Sequence, residues 1–182
     1  MMQIKLEERT GVWSVLIRNL VMALMGILLV SQCATAQDRL GGHFGAVFPL
    51  ITRANGVTSD IGDDFKIGFP TGITVRTSDR YAFDLELVPT LDPREGRPID
   101  VGLTFHPGVL RAFGNSWTGG VRMAFDFGSA SWGFTPLLNK SLHQMNRQAY
   151  FVELVAPVRF QDEGFGETHA AITLGVHVGI GF

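Results

Sequence analysis

From His43 to Phe182 large apolar side chains recur at every second position, and the residues between them are mostly small, polar or charged. A period of two sends successive side chains to opposite faces of a strand. "HFGAVFPLI" sets Phe44, Phe48 and Leu50 against His43, Gly45, Val47 and Pro49. "FKIGFPTGITVRT" sets Phe65, Ile67, Phe69, Ile73 and Val75 against Lys66, Gly68, Gly72, Thr74 and Arg76. "YAFDLELV" and "IDVGLTFH" repeat the pattern, with Tyr81, Phe83, Leu85 and Leu87 opposite Ala82, Asp84 and Glu86, and Ile99, Val101, Leu103 and Phe105 opposite Asp100, Gly102, Thr104 and His106. "WTGGVRMAFDF" opposes Trp117, Val121, Met123, Phe125 and Phe127 to Arg122, Ala124 and Asp126. A sixth, less regular strand falls within "SWGFTPLLNKSLHQ". In "YFVELVAPVRF" Tyr150, Val152, Leu154, Val158 and Phe160 oppose Glu153, Pro157 and Arg159, with Phe151 and Val155 blurring the polar side. The eighth is "AAITLGVHVGIGF", where Ile172, Leu174, Val176, Val178, Ile180 and Phe182 alternate with Thr173, Gly175, His177, Gly179 and Gly181.

Eight alternating segments separated by turn signals predict an all-β, eight-stranded antiparallel up-and-down barrel. The connections predict two unlike ends. "TRANGVTSDIGDD" and "TLDPREGRP" read as long loops, "SDR" and "AFGNS" as tight turns. In the second half this alternation weakens, with a short five-to-six loop and a long six-to-seven turn expected.

The second face decides which side is out. It carries Lys66, Arg76, Asp84, Glu86, Asp100, Arg122, Asp126, Glu153 and Arg159 with His43, His106 and His177, interleaved with Gly68, Gly72, Gly102, Gly175, Gly179 and Gly181. A solvent-exposed strand has no need of so many glycines, which weaken it. The narrow interior of an eight-stranded barrel does need very small residues between long charged ones. Near balance of sign is also what buried charges require. The charged face is therefore expected inside as an ion-pair network, and the apolar face outside against lipid. Two aromatic girdles are expected to mark the membrane interfaces, Phe44, Tyr81, Phe105, Trp117, Tyr150 and Phe182 toward the tight turns, and Phe65, Phe127, Phe160 and Trp132 toward the loops.

Composition enters here. At 46% apolar residues and a mean hydropathy of +0.19, the chain lies between soluble and membrane proteins. Its one continuous apolar run is "LVMALMGILLV", Leu20 to Val30, short for a membrane helix. Lys5, Arg9 and Arg18 precede it, and Ala34 and Ala36 stand at the positions a signal peptidase reads before Gln37. Residues 1–36 are read as a secretory signal peptide and 37–182 as the barrel domain; an uncleaved anchor is the alternative. Cys33 is the single cysteine, so the expected mature chain has no disulfide. Taking Lys5, Glu7, Glu8, Arg9 and Arg18 away with the first 36 residues leaves 12 basic and 15 acidic side chains, with no basic block. Nucleic acid is an unsuitable partner for such a surface.

In its signal peptide, alternating strands and final strand the chain resembles the small outer-membrane β-barrel proteins of Gram-negative bacteria, typified by the OmpA transmembrane domain and OmpX. The resemblance implies an outer-membrane monomer in contact with lipid and lipopolysaccharide. It also implies that Phe182, with Ile180, Val178, Val176 and Leu174, is read by the barrel-assembly machinery.

Three functions stay open at this point: a structural or loop-mediated surface role, a narrow channel, and a lipid-modifying enzyme. The first is the expected one. Inward Arg and Glu residues would obstruct a channel, and Ser59, Ser78, Ser129, Ser131 and Ser141 have no histidine neighbour in sequence to activate them. No catalytic residue, cofactor or metal site is assigned. Asp60, Asp63 and Asp64 lack EF-hand spacing and read as a solvated loop, and His177 reads as a hydrogen-bonded interior histidine.

Overall fold

The computed structural model describes residues 39–93, 96, 98–129, 131–146, 148–162 and 168–182. The expected signal peptide and its cleavage positions Ala34, Ala36 and Gln37 lie outside the described residues. Eleven strands form: β1 Leu40–Ala54, β2 Val57–Asp60, β3 Ile67–Gly68, β4 Thr71–Arg76, β5 Tyr81–Asp92, β6 Asp100–Gly114, β7 Trp117–Phe127, β8 Ser131–Met145, β9 Gln148–Val155, β10 Val158–Asp162 and β11 Thr168–Gly181.

These make eight staves of one antiparallel ring. β2, β3 and β4 together form the second stave, all pairing with β1. β9 and β10 form the seventh, both lying between β8 and β11. Each composite stave is interrupted at a proline, which has no N–H to give a ladder. The wall stays bonded across both breaks. Gly45 N–H donates to Pro70 O (3.0 Å) and Phe69 N–H to Pro89 O (2.8 Å); Ala156 N–H donates to Pro136 O (2.9 Å) and Thr173 N–H to Pro157 O (2.8 Å). β1 and β11 close the ring from His43↔Gly181 to Ala54↔Ala171, with a register shift between Pro49 and Ile51. Gly42 and Phe182 exchange two backbone hydrogen bonds of 2.8 and 2.9 Å at the end of this seam.

The connections differ from expectation in two places. The first long loop is partly a hairpin, because Asn55 and Gly56 both adopt positive φ (51° and 77°) and turn β1 directly into β2. Two successive positive φ angles make the turn whose twist matches paired strands. The six-to-seven connection is tight, because β8 continues to Met145 and pairs with β9 down to Gln148. Ser59 lies within β2, and Ser131 and Ser141 lie within β8.

Alternation delivers the faces. Ile73, Val75, Phe83, Leu87, Val109, Val121, Met123, Phe125, Leu138, Leu154, Leu174 and Val178 point outward and are exposed. Asp84, Glu86, His106, Arg122, Glu153 and His177 point inward and are buried. The interior is less polar than expected. Val88, Ala124, Leu137, Phe151 and Val155 are also buried there, so the two residues that blur the seventh segment are interior packing. One girdle position moves as well. Phe105 pairs with Leu87 and Phe125 at mid-height, and Phe113 stands at the tight-turn end instead.

Candidate functional site

The interior cluster is built from cross-strand neighbours and from glycines that let longer side chains reach past them. Asp84 on β5 is flanked by Thr74 on β4 and Gly108 on β6. The Thr74 hydroxyl donates to Asp84 Oδ1 at 2.6 Å. Gly108 leaves its space to Arg122 of β7, whose Cγ lies 2.6 Å from where a Cβ would stand. Arg122 Nε–H therefore reaches Asp84 Oδ2 at 2.8 Å. Glu86 repeats the plan on the other side. It lies between Gly72 and His106, and the His43 ring lies over Gly72 so that Nε2 meets Glu86 Oε2 at 2.9 Å. His177 uses the absent side chain of Gly45 and Phe151 that of Gly179.

Arg122 joins the two sides of the lumen. Nη1–H donates to Glu153 Oε1 of β9 at 2.9 Å and lies 3.5 Å from Glu86 Oε2. Glu153 accepts further bonds from His177 Nδ1 (3.2 Å) and Asn139 Nδ2 (3.2 Å). Phe151 stands edge-on to the His177 ring at 4.9 Å. His106 Nδ1 bonds Glu86 Oε1 at 2.9 Å, and Arg159 Nη2 approaches His106 Nε2 at 2.9 Å. A guanidinium has no acceptor, so Nε2 must accept and Nδ1 carries the proton. Arg159 also donates to Thr135 Oγ1 (3.2 Å) and lies 4.0 Å from Asp126, which accepts from the Thr104 hydroxyl at 2.6 Å.

Of the charged residues read as interior, the structure thus brings Asp84, Glu86, Arg122, Asp126, Glu153, Arg159 and His177 into one network. Three stand apart. Lys66 lies at the loop end, half-buried, 2.8 Å from Asp64 and 3.4 Å from Asp92. Asp100 is exposed, paired in register with Asp92 at the strand ends. Arg76 is exposed at the opposite end. The alternation gives all three the inward parity, but the barrel is open to water at their height.

The sequence reading missed the neutral members. Thr74, Thr104, Thr135 and Asn139 complete the carboxylates and Arg159, and His43 and His106 take central positions. All carried the inward parity; which carboxylate each serves depends on register, which parity does not specify. On the tight-turn side of the network lies a cavity of about 260 Å³ whose lining includes His43, Arg122, Glu153, Thr74, Arg76 and Phe151.

On the outside, Phe182 covers the outward Gly42 and Phe113 covers the outward Gly119, each ring edge 2.7 Å from the position of a Cβ. Arg111 lies 5.8 and 5.7 Å from the Tyr81 and Phe113 ring centres, and Lys140 4.9 Å from Trp117. At the other end Trp132 and Phe160 stack at 4.9 Å. Leu174, Val176, Val178, Ile180 and Phe182 share the outward face of the last stave.

No family model matches the chain, and no curated protein matches it. Among solved structures it is similar to the outer membrane protein OprG from Pseudomonas aeruginosa, with 12% identity, a TM-score of 0.40, and coverage of 79% of this chain and 94% of that one.

Proposed function

We infer that this chain is an integral β-barrel of a Gram-negative outer membrane, with a closed interior and a structural or loop-mediated surface role. The observation that carries this reading is the inversion of the usual burial pattern. Large apolar side chains are exposed on staves all around the ring, while Asp84, Glu86, Arg122 and Glu153 are buried within it. Water-soluble proteins rarely expose a continuous apolar surface beyond a few hundred Å². Staves of 11 to 15 residues such as β5, β6, β7, β8 and β11 match or exceed the roughly 9–11 residues a tilted strand needs to cross a bilayer. The aromatic and cationic residues at the tight-turn end suit a lipid headgroup interface.

The closed interior favours a structural role over permeation, because Arg122 spans the lumen between carboxylates on the third and seventh of eight staves. The cavity beside it supports a narrow channel as the second reading. Lipid and lipopolysaccharide would contact the wall, and the outward face of β11 together with Phe182 just beyond it would be the surface that the assembly machinery reads.

Three measurements test these readings. Folded protein in outer-membrane fractions should migrate differently before and after boiling; recovery in the soluble periplasm would overturn the membrane assignment. Planar-bilayer recordings should show no discrete conductance, whereas steps that grow in Arg122→Ala would favour the channel. Deleting Phe182 should lower outer-membrane levels while the folded fraction keeps its unfolding midpoint; unchanged levels would remove its assembly role.

A further inference from the structure

We propose that the barrel interior binds one divalent transition-metal ion through His43, Asp84 and Glu86. These three buried side chains each offer one donor atom, and the donors lie within 4.8 Å of one another. His43 Nε2 and Glu86 Oε2 are already 2.9 Å apart. Two ligands bound tetrahedrally at about 2.0–2.1 Å from zinc stand about 3.3 Å from each other, so a modest separation admits an ion in place of the shared proton. One imidazole and two carboxylates are a donor set that suits zinc or cobalt.

Charge points the same way. Among the described residues the buried side chains that can carry charge are Asp84, Glu86, Glu153, Arg122, His43, His106 and His177. With the three histidines neutral, Arg122 offsets one of three negative charges and leaves two. Buried charges need compensation, and one divalent ion supplies it.

The surroundings are those of a supported ligand set. The Thr74 hydroxyl holds Asp84 Oδ1 and Arg122 Nε–H its Oδ2, while His106 Nδ1–H holds Glu86 Oε1, so that Oε2 faces His43 with Arg122 Nη1 3.5 Å away. Such partners orient ligating carboxylates. A second, independent observation is His177. It is 1% exposed, its Nδ1 engages Glu153, and its Nε2 has no hydrogen-bond partner among the described residues. That nitrogen borders Gly45, two residues from His43, and the two imidazole centres are 6.1 Å apart. It is a buried, unpartnered nitrogen on the imidazole next to His43. The tight-turn cavity reaches His43 and Glu153, so an ion can arrive without the wall opening. No sequence spacing announces the site, because Asp84 and Glu86 share one strand face while His43 comes from two staves away.

The test uses the folded, heat-modifiable protein in detergent, stripped with EDTA and dialysed against Co²⁺ or Zn²⁺. The expected result is one ion per chain, a visible Co²⁺ ligand-field band and a higher unfolding temperature. His143→Gln with His169→Gln, outside the cluster, should retain the ion, and His43→Gln or Glu86→Gln should weaken binding at least tenfold. Undiminished binding by folded H43Q and E86Q overturns the proposal. If those variants do not fold, the wild type decides: absence of stoichiometric ion or of the Co²⁺ band overturns it.

Discussion

Among the described residues, two clusters set a cation between two carboxylates in different surroundings. Arg122 stands between Asp84 and Glu153 at 2.8 and 2.9 Å, with all three side chains at most 4% exposed. Lys66 stands between Asp64 and Asp92 at 2.8 and 3.4 Å, with side chains 13 to 36% exposed at the loop end. Water can replace either partner of Lys66. Arg122 is buried, so removing it leaves buried carboxylates without their cationic partner. Geometry alone does not rank the two clusters; access to solvent does.

The largest effect should follow from Arg122→Ala, at about 3–5 kcal/mol of stability. Urea unfolding of reconstituted protein measures it, and an unchanged midpoint would mean that water enters the core freely. Gly108→Val comes next, at about 1–3 kcal/mol, because its Cβ would meet the Arg122 Cγ at 2.6 Å and the neighbouring backbone at Val121 O (2.7 Å) and Arg122 Cα (2.9 Å). Its cost should shrink in the Arg122→Ala background; equal costs in both would show that the glycine serves the strand and not the arginine. Lys66→Ala should cost about 0–1 kcal/mol, and less at high salt. A salt-independent loss as large as that of Arg122→Ala would erase the distinction between the two ends.

The ring itself was legible because period two is a strong local signal repeated over eight segments. Inward parity gave Asp84, Glu86, Arg122 and Glu153 for the same reason. What parity cannot give is height. Asp100 and Arg76 share the inward parity with Glu86, yet they stand at strand ends where water reaches them. Phe105 was put in a girdle for lack of the same coordinate. The Asn55-Gly56 turn is legible in its residue types but is embedded in a longer polar stretch that reads as a loop. Phe151 and Val155 looked like breaks in a polar face because the interior was expected to be uniformly polar, whereas a filled barrel also packs side chains by volume. The His43–Asp84–Glu86 grouping depends on register across three staves, and no single segment contains it.

Every one of the eight staves contributes a side chain to the central network: His43, Thr74, Asp84 with Glu86, His106, Arg122, Thr135 with Asn139, Glu153 with Arg159, and His177. Backbone ladders are indifferent to sequence and would tolerate a hairpin sliding by two residues, which preserves the faces. The network would not, since a slip of two exchanges Glu86 for Val88 or Asp84 opposite their partners. The polar core thus keeps these bonds only in the one alignment in which all eight staves arrive at the same level.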